Sequence, residues 1–347
     1  MSKESEILDR DEKVISEAMK IRFFPLVMKS QRGATIKDLD ENELIDFSSA
    51  WAVANTGYRH PKVIKKLEEQ LGISIANSPI SVSEENIVTL AERLRDLSGF
   101  DFPTKVWFGH SGSEAGDLIS KTLTAKGNGD SIINFKGSYH GITTGAAMIS
   151  GHSAQEGIAA ENVISLDFPN LYRSELSKEE LREKSLEDAK KAFENNDVAG
   201  LITEPLQSDG GILVPPQGFL KGLEDLCEDH DAYYVVDEVK AGLGRTGKMF
   251  AHQHDNAEPD AIMLGKPLGS GIPISAVVGR KELVDFEPAS HMMTTAGGPM
   301  SVAAAHATLD VIEEEDLVSQ AEEKGNFLNK LLNDIKDESK HVGDVRG

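Results

Sequence analysis

From about residue 60 onward, apolar runs of strand length alternate with stretches whose apolar residues recur at helical spacing. The runs are Lys105-Val-Trp-Phe108, Ser131-Ile-Ile-Asn-Phe135, Gly200-Leu-Ile-Thr203, Tyr233-Tyr-Val-Val236 and Ala261-Ile-Met-Leu264. Helical stretches include 83–97, 114–125, 179–194 and 219–230. This alternation predicts an α/β domain built on a mostly parallel sheet. Before it, residues 1–20 read as a charged surface helix, and 34–37 with 43–47 read as a hairpin across Asp40-Glu-Asn42. After it, residues 300–335 read as one long helix followed by a second.

Ligands of such sheets sit beyond the carboxyl ends of the strands. The run at 233–236 leads into Asp237-Glu-Val-Lys240 and the glycine-rich Ala241-Gly-Leu-Gly-Arg-Thr-Gly247; the run at 261–264 leads into Gly265-Lys266-Pro267 and Gly269-Ser-Gly271. A lysine amine forms a Schiff base with an aldehyde cofactor, and a carboxylate keeps that cofactor's pyridine nitrogen protonated. Asp237 alone reads as a turn-capping acid, and Lys266 alone as a solvated loop lysine. Together, at matching strand ends, they point to pyridoxal 5′-phosphate (PLP). Val239, two residues beyond Asp237 on an extended segment, faces the same way and is expected to pack on the ring.

Other strand ends carry weaker signals. Ser111-Gly112-Ser113-Glu114 fits a capping box, and hydroxyls at a helix N-terminus also suit a phosphate. Tyr139-His140 lies in Gly137-Ser-Tyr-His-Gly141, where stacking on a heterocycle and packing within the loop are equally open. Glu204-Pro-Leu-Gln-Ser-Asp209-Gly-Gly211 reads either as turn chemistry or as a source of a carboxylate for proton transfer. His252 and His254 read as surface or supporting residues, not a metal site.

Composition narrows the partners. The 347 residues suffice for a large core. A net charge of −22 disfavours nucleic acid and anionic membranes. Cys227 is the only cysteine, which excludes a disulfide framework. No apolar run approaches the roughly 18 residues of a membrane span, and the charged N-terminus lacks the apolar stretch of a signal peptide. A cytoplasmic location is therefore expected.

With these residues in place, the chain resembles the class III aminotransferase family, which has PLP fold type I. The resemblance rests on Asp237–Gly247 through Lys266-Pro-Leu-Gly-Ser-Gly271, with Ser111-Gly-Ser-Glu-Ala115, Gly137–Gly141 and Thr294-Thr-Ala-Gly-Gly-Pro299. It runs from about residue 20 to the last residue. The branch of amino-acid racemases and epimerases, typified by α-amino-ε-caprolactam racemase, looks most similar. That reading rests on Arg22-Phe-Phe-Pro-Leu26, Ser49-Ala-Trp51, Trp107–Ser113, Gln207-Ser-Asp-Gly-Gly211 and Asp237–Lys240. Ordinary transaminases of the family usually carry Gln at position 240 and Gly-Glu at 208–209.

The resemblance implies a large PLP-binding domain over 60–300. Residues 1–59 and a C-terminal lobe beginning in 301–347 would form a small domain. It implies that Lys266 is the Schiff-base lysine, that Asp237 pairs with the pyridine nitrogen, that Tyr139 stacks on the ring and that Ser111 to Ser113 bind the phosphate. Lys240 would sit near the ring hydroxyl, and Trp51 near an amino acid or amine substrate. Asp209 would be an acid/base opposite Lys266. Thr294 would reach the phosphate of the neighbouring subunit in a homodimer. Three departures stand out. Gly116 and Gly298 replace asparagines common in the family, and the chain stops at Gly347 where the family continues into a lobe that grips the substrate carboxylate. The chain reads as truncated, with an apolar patch expected on the helix at 301–315 and poor turnover. Racemisation or epimerisation at the α-carbon is the expected activity. Transamination to a 2-oxo acid is the alternative, and an inactive PLP-fold protein is the rival from another class.

Overall fold

The computed structural model describes residues 3–347 except 77, 156 and 159. β1 (Met28–Arg32), β2 (Thr35–Asp38) and β3 (Glu43–Ile45) form a small antiparallel sheet, so the expected hairpin gains a third strand. The large sheet contains β4 (Thr104–Gly109), β5 (Ser131–Phe135), β6 (Val163–Leu166), β7 (Val198–Thr203), β8 (Tyr233–Asp237), β9 (Ala261–Leu264) and β10 (Ser275–Arg280), in the order β4-β10-β9-β8-β7-β5-β6. From β9 to β6 the strands are parallel. β10 runs against both of its neighbours, which leaves β4 pointing the same way as the parallel set. β6 and β10 were not expected from the sequence, although Ser275-Ala-Val-Val278 after Pro273 is a legible strand signal.

Every residue of β7 and β9 is buried. Helices cover both faces of the sheet, and strands buried on both sides read as continuous apolar runs. The pleat sends Tyr234, Val236, Ile262 and Leu264 to one face, under the helices Glu85–Ser98, Lys178–Asn195, Phe219–Asp229 and Pro299–Glu314. It sends Val235, Ala261 and Met263 to the other face, under the helix Gly112–Lys126.

The apolar patch expected on the helix at 301–315 is absent. Val302, Ala305, Leu309 and Ile312 are at most 1% exposed and belong to the main core. Their helix packs on the helices Pro61–Leu71 and Glu85–Ser98 and on the turn Lys266–Gly269. Burying each Leu or Ile contributes about 1.5–3 kcal/mol. The exposed apolar residues lie one helix later, on Leu317–Glu338, where Phe327, Leu328, Leu331, Leu332 and Ile335 face solvent.

Candidate active site

Because β4 shares the direction of the parallel strands, five loops leave one edge of the sheet together. They carry Ser111 to Ser113 after β4, Tyr139 and His140 after β5, Glu204 to Asp209 after β7, Asp237 to Lys240 after β8, and Lys266 after β9.

Asp237 ends β8 and is 5% exposed. Its Oδ2 lies 2.8 Å from Nδ1 of His140, and its Oδ1 accepts the Val239 N–H at 3.0 Å. His140 is itself buried, and its N–H donates to Ser150 Oγ at 2.9 Å. The carboxylate is thus held from two sides. The bond to Val239 also corrects an expectation. The strand ends at Asp237, and a short carboxylate captures the N–H two residues on, which turns the chain. Val239 therefore does not share an extended face with Asp237.

Val239 packs at a junction of three loops. A Cβ on Gly112 would lie 2.8 Å from Val239 Cγ1, and one on Gly265 would lie 3.2 Å from the same atom and 3.4 Å from the Gly112 amide nitrogen. The backbone before Lys266 therefore abuts the start of the helix Gly112–Lys126. Ser111 caps that helix, its Oγ accepting the Glu114 N–H at 3.3 Å, and Ser113 Oγ accepts the Ile142 N–H at 3.0 Å. Each hydroxyl keeps its own proton to donate. The reciprocal arm of the capping box goes elsewhere: Glu114 Oε2 accepts the His110 N–H at 2.6 Å.

The surroundings of Gly116 leave no space for a side chain. A Cβ there would lie 2.5 Å from His140 O and 2.8 Å from Ala146 Cβ. We predict that Gly116→Asn lowers the unfolding free energy by about 1–3 kcal/mol through overpacking. Urea denaturation measures this, and an unchanged midpoint would contradict it.

Lys266 is half-buried. Burial pushes its ammonium below the ordinary value of 10.5, and Lys240 acts in the same direction, while Asp237, Asp209 and Glu204 oppose it. The folded chain holds this proton less tightly than the unfolded chain. Unfolding therefore takes up a proton between the two values, and stability rises with pH across that window. We predict that Lys266→Met stabilises the apoprotein at pH values below the lowered value. The gain shrinks to a packing difference as pH approaches 10.5. Urea unfolding from pH 7 to 10.5 tests this, and a gain independent of pH would refute the shift.

The remaining residues form a second line. Asp209 Oδ1 lies 3.1 Å from Lys240 Nζ, and Lys240 Nζ lies 6.0 Å from the centre of the Trp51 ring. Trp51 stacks on Phe23 at 6.0 Å. Ser49, Ala50, Trp51 and Ala52 form a left-handed turn, all with φ between 49° and 66°. Asp46 holds it by accepting the Ser48 and Ala50 N–H groups and the Tyr58 hydroxyl. Tyr139 is half-buried, edge-on to His152 at 5.9 Å. Burial and then Asp209 push its phenol above the ordinary value. Glu204 is buried, and Tyr139 and Ser208 donate to its two oxygens. Thr294 is exposed on its loop, and the next residue, Thr295, bonds His110 Nε2 at 2.9 Å. His252 is not on the surface. It is 3% exposed, and its Nδ1 lies 2.9 Å from Glu238 Oε1. Ser150 was missed, and Ser208 and Glu238, although inside quoted motifs, were given no role of their own.

Residues 16–347 match the family model for class-III aminotransferases. The chain belongs to that family. It is 38% identical to an alanine/serine racemase of Pyrococcus horikoshii over 99% of this chain and 75% of the relative. It is 37% identical to a leucine/methionine racemase of Thermococcus litoralis over 99% of this chain and 80% of that one. Among solved structures it is similar to a taurine:2-oxoglutarate aminotransferase from Bifidobacterium kashiwanohense. That structure, in complex with PLP and glutamate, has a TM-score of 0.93 at 24% identity, covering 100% of this chain and 81% of that one. The fold is PLP fold type I. The chain is an enzyme of this family, and among the described residues no helix is long and apolar enough to cross a membrane.

Proposed function

We propose that this enzyme inverts amino acids at the α-carbon, as a racemase or epimerase that uses PLP. The observation that carries the reading is a pair of proton-handling groups at one sheet edge. Lys266 follows β9, and Asp209, ion-paired with Lys240, follows β7. The two interact electrostatically. The named activities of the two racemase relatives favour the same reading.

The residues fit the cofactor. Gly112, Val239 and Gly265 approach one another closely beside Lys266, with a Cβ on Gly112 only 2.8 Å and one on Gly265 only 3.2 Å from Val239 Cγ1. Ser111, Gly112 and Ser113 would hold the phosphate at the helix N-terminus, Tyr139 would stack on the ring, and Asp237 would hold the pyridine nitrogen. PLP, when bound, supplies an electron sink for the charge left when the α-proton departs. Lys266 would hold the aldehyde carbon, give up that bond when the substrate amine takes its place, and as the freed amine take the α-proton, which its weakened hold on a proton suits. His140 and the Val239 N–H fix the Asp237 carboxylate so that it needs no rearrangement during reaction. Asp209 would return a proton on the second face. A homodimer and a cytoplasmic location complete the proposal. Exposed Phe23, Phe24, Phe47 and Met292 support the former.

The test is incubation of single L-amino acids with the PLP-loaded enzyme and no 2-oxo acid. Accumulation of the D-enantiomer is expected. Amino transfer that requires a 2-oxo acid, with no enantiomer formed, would replace this reading with transamination, the activity named for the taurine enzyme.

A further inference from the structure

We infer that Glu204 is a positioning residue that ties the ring-stacking tyrosine to the second-face acid. The inference rests on the role proposed above for Asp209. Glu204 follows β7 directly and is 5% exposed. Its Oε1 accepts the Tyr139 N–H at 3.1 Å. Its Oε2 accepts the Ser208 N–H at 3.0 Å and the Ser208 hydroxyl at 2.6 Å. One side chain therefore anchors two loops. One carries Tyr139, and the other reaches Asp209 one residue after Ser208.

The chemistry of the donors explains why the residue is an acid. Three protons converge on two oxygens, and only a carboxylate offers acceptors in both directions. A glutamine of the same shape has one oxygen. Whichever way its amide turns, its NH₂ group meets an N–H. Bonds from neutral donors to a buried carboxylate are charge-assisted and shorter than neutral ones. Burial pushes the Glu204 carboxyl above its ordinary value, Asp237 adds to that, and the Ser208 bonds and His140 oppose it. Both oxygens are occupied by loop donors, so Glu204 acts through Tyr139 and Asp209.

The experiment compares Glu204→Gln, Asp209→Asn and the double variant as PLP-loaded enzymes. The substrate is the amino acid the unsubstituted enzyme turns over fastest. Solvent deuterium uptake is followed separately from the L and D enantiomers, together with the induced circular dichroism of the bound cofactor. We expect Glu204→Gln to slow exchange from the enantiomer that needs Asp209 by about 10²-fold. Exchange through Lys266 should fall less than about tenfold, and the dichroism should weaken as Tyr139 loosens. In the Asp209→Asn background Glu204→Gln should slow inversion no further. Equal slowing of both enantiomers, or effects that multiply in the double variant, would overturn the inference. If Asp209→Asn alone inverts at the normal rate, the reading of Asp209 fails, and an unchanged dichroism in Glu204→Gln would then overturn the Tyr139 half as well. Should Glu204→Gln not fold, Ser208→Ala removes only the 2.6 Å donor. The same enantiomer-selective loss is expected at about 3–10-fold, and no selective loss would overturn the inference.

Discussion

Lys266→Ala should abolish the borohydride-reducible PLP adduct and all measurable turnover. The lysine sits in the turn after β9, and Gly265 just before it abuts the start of the helix Gly112–Lys126. Lys240 is the rival amine nearby, but Asp209 holds its Nζ at 3.1 Å. Loss of the covalent link combines with loss of a base worth about 10²–10⁴ in rate, so turnover should fall by at least about 10⁴-fold. Reduction with borohydride followed by peptide mapping should find the phosphopyridoxyl group on Lys266. Its recovery on Lys240 would move the catalytic lysine one strand over and overturn the assignment.

Asp209→Asn should remove inversion while leaving one enantiomer able to exchange its α-proton with solvent. The carboxylate lies on the loop after β7, partly open to solvent and paired with Lys240. Asparagine keeps its shape but cannot deliver a proton. Lys266 remains able to serve its own face, so exchange should persist there while conversion to the other enantiomer falls about 10²–10⁴-fold. Racemisation at near the normal rate would exclude Asp209, and Tyr139 would become the next candidate.

How far the sequence was legible differs from residue to residue for physical reasons. Asp237 and Lys266 were readable because each combines a chemically telling side chain with a local strand-end signal. Ser111 was readable because capping is a local pattern. The support around them was not. His140 meets Asp237 across 97 positions, and Tyr139 meets Glu204 across 65. Such contacts leave no periodicity in the chain between them. The strand was carried too far past Asp237 because alternation ignores a carboxylate that captures its own backbone. The role of the helix Pro299–Glu314 was misjudged because its spacing shows an apolar stripe but not which neighbour covers it. Helices Pro61–Leu71 and Glu85–Ser98 do so, more than 200 residues earlier.

The left-handed turn at Ser49–Ala52 bears on the order in which this protein assembles. Each non-glycine residue in that conformation costs roughly 1–2 kcal/mol, so four together cost about 4–8 kcal/mol. No short peptide would hold such a turn unaided. It must wait for Asp46, which follows β3, and for Tyr58, whose backbone bonds Gly33 in the turn between β1 and β2. The turn that carries Lys266 meets this left-handed turn directly, and Thr56 Oγ1 lies 2.9 Å from Ser270 Oγ just beyond it. A chain still assembling its small sheet therefore holds neither Trp51 beside Lys240 nor the full support of its reactive amine, and Trp51 fluorescence would register that late step.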